Sequence, residues 1–541
     1  MAKTIDGAAF RSMVDYAVRN LNKHCKTVNQ LNVFPVPDGD TGTNMVTTIH
    51  RGLLAIGETL VDLPSFAKKF ASAVVFEARG NSGVIVSQFL KGLADKFKDV
   101  DTIDGALFIA ALEAGVENAY SAVATPVEGT MLTVLKDATE AVKKEFDGSE
   151  SVNDIITSFI EHAKVSLENT PELLPVLKEA GVVDSGGAGI VYLFEGMKKY
   201  LDGESIDADN TNEEASGIDY DAFDEDTVFE FGYCTELLLQ PLNGRRPFLM
   251  EGFKENLSEL GDSLVCTEEK GKVRVHIHTH RPEEIFAFCH EYGEFLTVKV
   301  ENMSVQHTEL TKNIMVNPSH GGGSFAVVAV AYDADMQKMF IDMGADAVIL
   351  CGKSPSTKDY IRAFEKTDKK HIILFPNGSD AMLSAAQAKD LYSGASVTVV
   401  SSKSIAACYA VLPALDYEEQ DIKRTIASVK RILSGLYIAS VAKRKNPLRY
   451  GNRIIERNDF YAFCGKELIA VEKSVEDAVA AAVKTAVEEH GKEILTLFCN
   501  SSVSEEELDG ILGRIESMGY PLEVSAVRTD SHKAEFTLAF E

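Results

Sequence analysis

Asp38 and Asp40 stand two residues apart in "LNVFPVPDGDTGTNM" (31–45), with Gly39 between them and Thr41, Gly42, Thr43 and Asn44 directly behind. A glycine-containing loop lets both carboxylates turn toward one point. There they would repel by ~4 kcal/mol at about 4 Å if the effective dielectric is near 20. A hard divalent cation between them removes that cost. It is not an EF-hand: Gly42 stands where the third ligand belongs, Thr43 where the invariant glycine belongs, and Ile49 where the closing glutamate belongs. The competing reading is an Asx turn running into a helix start, with Thr43 or Asn44 as the cap.

Three further loops carry the same signature of glycine and small polar residues ahead of a helix. "EARGNSGVIVSQ" (77–88) places Gly80, Asn81, Ser82 and Gly83 at a helix start, where N–H groups and a hydroxyl can hold a phosphate. "PVEGTMLTV" (126–134) and "GVVDSGGAGIVYL" (181–193) repeat the pattern. If the helices run up and down, these four junctions meet at one rim. Carboxylates for a metal and amides for phosphate on one rim make a nucleotide–magnesium site. A Walker loop is absent: in "AVILCGKS" the required first glycine is Ala347, and Pro355 follows at once.

The elements that position these loops read as follows. Residues 1–203 are nearly all helical. The first helix carries Phe10, Met13, Val14, Ala17 and Val18 on one face, and others are predicted from Met45 to Ile56 and at about 64–76, 81–98, 104–122, 130–147, 151–169 and 187–202. This predicts a compact bundle or barrel of some eight helices. Residues 204–226 are acidic, poor in aliphatics and rich in turn formers, hence a linker. Residues 227–315 alternate like strands around one helix, a small α+β domain. Residues 316–541 form an α/β region with parallel strands such as "FAVVAVAY" and "HIILFP", closed by a terminal β-α-β-β unit. The fold class is thus multidomain, α and α/β.

With 54 Lys and Arg against 82 Asp and Glu, the net charge of -28 argues against general nucleic-acid or lipid-surface binding. The one concentrated basic run, "AKRKNPLR" (442–449), reads as a solvated loop. The eight cysteines are scattered with no CxxC pair, as in a reducing cytosol. There is no signal-peptide pattern and no apolar run of the ~18 residues that span a membrane. The expectation is a cytoplasmic protein.

In "VRVHIHTH", strand alternation puts His276 and His278 on one face, and Cys234 on another strand is a third donor for a structural zinc ion. The competing reading is a solvated polar strand face beside a free cysteine.

The series "LNVFPVPDGDTGTNM … ARGNSG … EGTML … VVDSGGAG" resembles the ATP-binding domain of the dihydroxyacetone kinase superfamily. In this form it is similar to the ATP-binding subunit of bacterial fatty acid kinase. "GYCTE", "VHIHT" and "NMSVQH" resemble that family's middle domain, and "SPSTKDYIRAF", "PNGSDAM" and "SSKSI" its C-terminal region. The resemblance implies an eight-helix barrel that binds ATP through two magnesium ions. Asp38 and Asp40 would be ligands, and Asn32 stands where related kinases carry a third aspartate. Thr41, Thr43 and Asn44 would lie near metals and phosphates, with Asp38, Asp40 and Thr43 carrying the catalysis. Gly80, Asn81, Ser82 and Gly83 would face the phosphates. Thr130 and Met131, and Asp184 through Gly186 and Gly187, would border ribose and base. The metal trio of the middle domain would be Cys234, His276 and His278. The acceptor would be the carboxylate of a fatty acid carried by a separate DegV-type binding protein, with docking on the C-terminal region and a homodimer through the middle domain. The competing functions are a kinase of a dihydroxyacetone-like small molecule and a nucleotide-binding scaffold without turnover.

Overall fold

The computed structural model describes residues 4–34, 39–57, 62–204, 233–269, 271–302, 314–317, 323–352, 354–444, 448–450, 453–465, 467–529 and 535–541. Asp38 and the acidic segment after 204 lie outside them. The chain divides into two compact units: the N-terminal helices together with the C-terminal region, and the middle segment Asn210–Asn313.

The N-terminal helices are α1 (Gly7–Lys23), α2 (Cys25–Leu31), α3 (Thr41–Ala55), α4 (Leu63–Phe76), α5 (Gly80–Phe97), α6 (Gly105–Ser121), α7 (Met131–Glu145), α8 (Val152–Leu173), α9 (Pro175–Ala180) and α10 (Ser185–Leu201). Several start on a side chain that accepts an N–H of the first turn, as Asp6, Asp62, Asp104 and Ser151 do. The apolar stripe of α1 is buried as its spacing requires, and it joins Met45, Phe70, Phe89, Phe159 and Phe194 in one core. The eight longer helices are those expected from periodicity. The two short ones, α2 and α9, escape it because neither reaches two full turns.

The middle unit holds β1 (Tyr233–Pro241), α11 (Met250–Ser258), β2 (Asp262–Glu269), β3 (Lys272–Thr279), α12 (Pro282–His290) and β4 (Gly293–Asn302). Its antiparallel sheet runs in the order β2-β3-β1-β4. Val273, Val275 and Ile277 alternate into a core with Leu237, Leu239 and Phe253.

The C-terminal region begins with a five-stranded sheet. Its elements are β5 (Ile314–Val316), β6 (Phe325–Ala331), α13 (Ala334–Asp342), β7 (Ala347–Leu350), α14 (Thr357–Glu365), β8 (His371–Phe375), α15 (Met382–Leu391) and β9 (Ser396–Val399). The order is β5-β7-β6-β8-β9, parallel except for the edge strand β5. β6 is buried along its whole length, as a central parallel strand covered on both faces should be. After α16 (Ile405–Val411) and α17 (Ile422–Gly435) come β10 (Tyr437–Lys443), β11 (Leu448–Tyr450), β12 (Arg453–Ile455), β13 (Phe460–Cys464), β14 (Glu467–Glu472), α18 (Val475–Glu488), β15 (Ile494–Cys499), α19 (Glu505–Ser517), β16 (Glu523–Arg528) and β17 (Phe536–Phe540). The terminal β15-α19-β16-β17 unit forms as expected. It is half of a six-stranded sheet, β14-β13-β10-β17-β15-β16, in which β17 joins β15 to β10. The run after β7 is no phosphate loop: Ser354 is buried against Asp380, and α14 starts on a Ser356–Asp359 capping box.

No helix among the described residues is long and apolar enough to cross a membrane. The described cysteines are free thiols.

Candidate nucleotide site

Four helix starts meet at one end of the helical domain. Ser82, in the first turn of α5, donates its hydroxyl to the Thr41 carbonyl at the start of α3 (3.3 Å). Ser185, at the start of α10, donates to the Thr41 hydroxyl (3.2 Å). Asp184 accepts from the Gly187 N–H (2.6 Å) in its own helix and from the Met131 N–H at the start of α7. The rim expected from the glycine-bearing loops is therefore assembled by direct hydrogen bonds.

The helix starts are capped largely from outside their own loops. Asp40 occupies the N-cap of α3 but makes no side-chain cap. The acceptor is instead Asn29 of α2, whose Oδ1 takes the Gly42 and Thr43 N–H groups (2.8 and 3.2 Å) while its Nδ2 donates to the Thr43 hydroxyl (2.9 Å). Sequence reasoning missed Asn29, and nothing but its place upstream of the loop could have marked it. Thr43 is thus held by α2, and Asn32 closes α2 as its C-cap, nearly buried. Asp38 lies outside the described residues.

Asn44 is 2% exposed, and its Oδ1 has no hydrogen-bond partner. Leaving such an oxygen bare costs ~1–3 kcal/mol. It sits against Gly80, which has a φ of +62°; a Cβ there would come within 2.4 Å of Asn44 Nδ2. Behind Gly80, the Arg79 N–H donates to Thr48 Oγ1 of α3 (3.1 Å). Arg79 is the N-cap of α5 and places no side chain over the helix start. Asn81, Ser82 and Gly83 follow in that first turn, the usual seat of an anion.

Thr130 is the N-cap of α7 and turns its hydroxyl back to the Val127 carbonyl (2.8 Å), so Met131 N–H is left to Asp184. Asp184 is 5% exposed, and Gly186 and Gly187 are buried beside it. Burial raises its carboxyl from 3.8 to about 6, against the opposing pull of the Gly187, Met131 and Gly186 N–H groups. The folded protein then holds this proton more tightly than the unfolded chain does. Stability from this group is present at low pH and falls as pH rises from about 4 to about 6, by ~3 kcal/mol. Asp184→Asn should remove that slope. Urea unfolding of both proteins at pH 4.5 and pH 7 checks it: the wild-type advantage should be larger at the lower pH. Glu128, in the same loop, is different. The Thr133 hydroxyl (2.7 Å) and Lys136 hold its carboxyl below the ordinary range, so it stays ionised and engaged.

These residues fit magnesium and a triphosphate. Asp40 offers a carboxylate that does not cap its helix, Asn44 offers a buried amide oxygen, and both are hard donors. The Gly80–Gly83 turn supplies the anion side. In the middle unit, the backbone register sets Cys234 opposite His278 and Glu236 opposite His276. The side chains of the Cys234, His276 and His278 trio lie outside the described residues. No metal-holding cluster occurs among those that are described.

Residues 35–199 match the DAK2 domain model. An uncharacterized protein of Staphylococcus saprophyticus is 36% identical over 471 residues, covering 82% of this chain and 84% of that one. One from Staphylococcus epidermidis is 34% identical over 537 residues, 96% of each chain. Among solved structures, the dihydroxyacetone kinase from C. freundii in complex with AMP-PNP and Mg2+ is 19% identical and overlays 35% of this chain and 33% of that one, with a TM-score of 0.28. The helical domain is therefore of the DAK2 class, a kinase-type domain. Residues 230–310 match the FakA-like middle domain and residues 326–541 the FakA-like C-terminal domain, both of fatty acid kinase, and the whole chain belongs to that family.

Proposed function

We propose that this chain is the ATP- and magnesium-dependent subunit of a fatty acid kinase, working with a separate DegV-type protein that carries the lipid. It would transfer the γ-phosphoryl group to the fatty-acid carboxylate, giving an acyl phosphate and ADP. The observation that carries this reading is the rim itself. A DAK2-class domain brings Asp40, a buried unpartnered Asn44 oxygen and the Gly80–Gly83 turn to one place.

In this reading Asp38 and Asp40 hold magnesium, with Asn32 beside them, and Thr41, Thr43 and Asn44 order the first turn of α3. The metal, when bound, would neutralise phosphate charge. The α5 turn orients the phosphates, and the loops before α7 and α10 border ribose and base. The β–γ bridging P–O bond breaks as a carboxylate oxygen bonds to the γ-phosphorus. A carboxylate is already ionised near neutral pH, so no proton has to be removed. The described rim agrees: Asp184 is committed to two helix starts, and Glu128 to Thr133 and Lys136. An alcohol acceptor would need a base there. The lipid carrier docks on the C-terminal region, the middle domain serves self-association with a zinc ion at Cys234, His276 and His278, and the protein works in the cytoplasm.

The test mixes the chain, Mg-ATP and a DegV-type carrier loaded with fatty acid, then traps product with hydroxylamine. ADP release with an acyl hydroxamate is expected, and neither should form with lipid-free carrier. Turnover with dihydroxyacetone instead would make it a small-molecule kinase. Nucleotide binding without turnover on any acceptor would make it a scaffold.

A further inference from the structure

The Gly80–Gly83 turn is held from two sides, and one of them is the C-terminal region. On one side stands α3, through Thr48, Asn44 and Thr41. On the other stand α14 and α15. The Thr357 N–H donates to the Ala78 carbonyl (3.1 Å), and Arg79 forms an antiparallel bridge with Ser356. Arg79 Nη2 lies 3.3 Å from Asp359 Oδ2, with side chains only 18% and 22% exposed. Lys358 Nζ reaches Glu77 Oε1 at 2.6 Å, and Glu77 is 5% exposed. Gln387 of α15 donates to the Val75 carbonyl (2.7 Å) and to Thr357 Oγ1 (2.9 Å), and accepts from Gln88 (2.7 Å). The segment is therefore pinned before the turn, at residues 75, 77, 78 and 79, and after it, at 88.

These contacts are more than a generic domain seam. They converge on the residue that precedes a left-handed glycine, where backbone freedom is lowest and a small displacement is passed on directly. Glu77 is a buried charge with its partner on the other domain, so the seam has one register that satisfies it. Asp359 serves two tasks: its Oδ2 accepts from Ser356 N–H and Oγ (both 2.8 Å) to start α14, and it meets Arg79.

We infer that the C-terminal domain is part of the nucleotide site, with Asp359 and Lys358 as positioning residues that set the Gly80–Gly83 turn through Arg79 and Glu77. This rests on the proposed kinase reading. It also gives a physical route by which whatever docks on the C-terminal region could be felt at the phosphates.

The experiment uses the full-length chain and calorimetric titration with Mg2+ and a non-hydrolysable ATP analogue. Asp359→Asn keeps an acceptor for the capping box and removes the charge that faces Arg79. Its dissociation constant for nucleotide should rise about tenfold, within the range of pairwise couplings, while affinity for the loaded carrier is unchanged. In the Arg79→Gln background the same substitution should add little. A lower melting temperature with wild-type nucleotide affinity would overturn the inference, leaving a structural seam only. Equal effects in both backgrounds would overturn it too. Failure of the wild-type chain to bind nucleotide would instead sink the kinase reading.

Discussion

Asp40→Ala is expected to lower ATP turnover at least about 10³-fold, ~4 kcal/mol of lost transition-state stabilisation, while the melting temperature stays close to that of the wild type. The reasoning separates the two readouts. A carboxylate at an N-cap usually stabilises its helix, and removing it costs ~1 kcal/mol. Here that task belongs to Asn29, which already holds the Gly42 and Thr43 N–H groups from α2. The Asp40 side chain makes no cap, so its loss should spare the fold and remove a metal ligand. Steady-state ADP release and thermal unfolding, measured on one preparation, decide the matter. A collapse in stability that accounts for the lost turnover would show the carboxylate to be structural.

Gly80→Val should be nearly as damaging by another route. The position has a φ of +62°, which a β-branched residue adopts only at a cost of ~1–3 kcal/mol. Its Cβ would meet Asn44 at 2.4 Å, and Asn44 is too deeply packed to withdraw. Together these should destabilise the protein by ~3 kcal/mol or more and displace the Asn44 oxygen, with loss of nucleotide binding. Gly181 is the internal control. It too is left-handed, at +66°, but nothing lies within 4 Å of where its Cβ would stand. Gly181→Ala should therefore cost only ~1–2 kcal/mol of backbone strain and leave nucleotide affinity intact. Denaturant unfolding and nucleotide titration of the pair separate strain from steric displacement. Equal behaviour of the two variants would remove Gly80 from the site.

The long helices were legible because their apolar residues repeat every three or four positions over four or more turns. The acidic loop and the three glycine-bearing loops were legible because glycine, aspartate and serine at a helix start have few other uses. In the C-terminal region, β6 and β8 could be read as buried strands from unbroken apolar runs. Strands β10, β13 and β14 could not: their alternation is mixed, and their burial comes from β17 and α18. The short helix α2 was invisible for lack of length, and with it Asn29.

By itself the sequence determined which loops carry the chemistry and which helices follow them. Those are local matters, settled by backbone conformations that only certain residues allow within a turn or two. The tertiary structure decided who completes each loop: Asn29 for α3, Asp184 for α7 as well as α10, and the C-terminal α14 behind Arg79. Such pairings join residues as far apart as the 280 positions between Arg79 and Asp359. No periodicity records them, because they arise only when separately folded elements pack and a buried polar group must find whichever partner the packing brings.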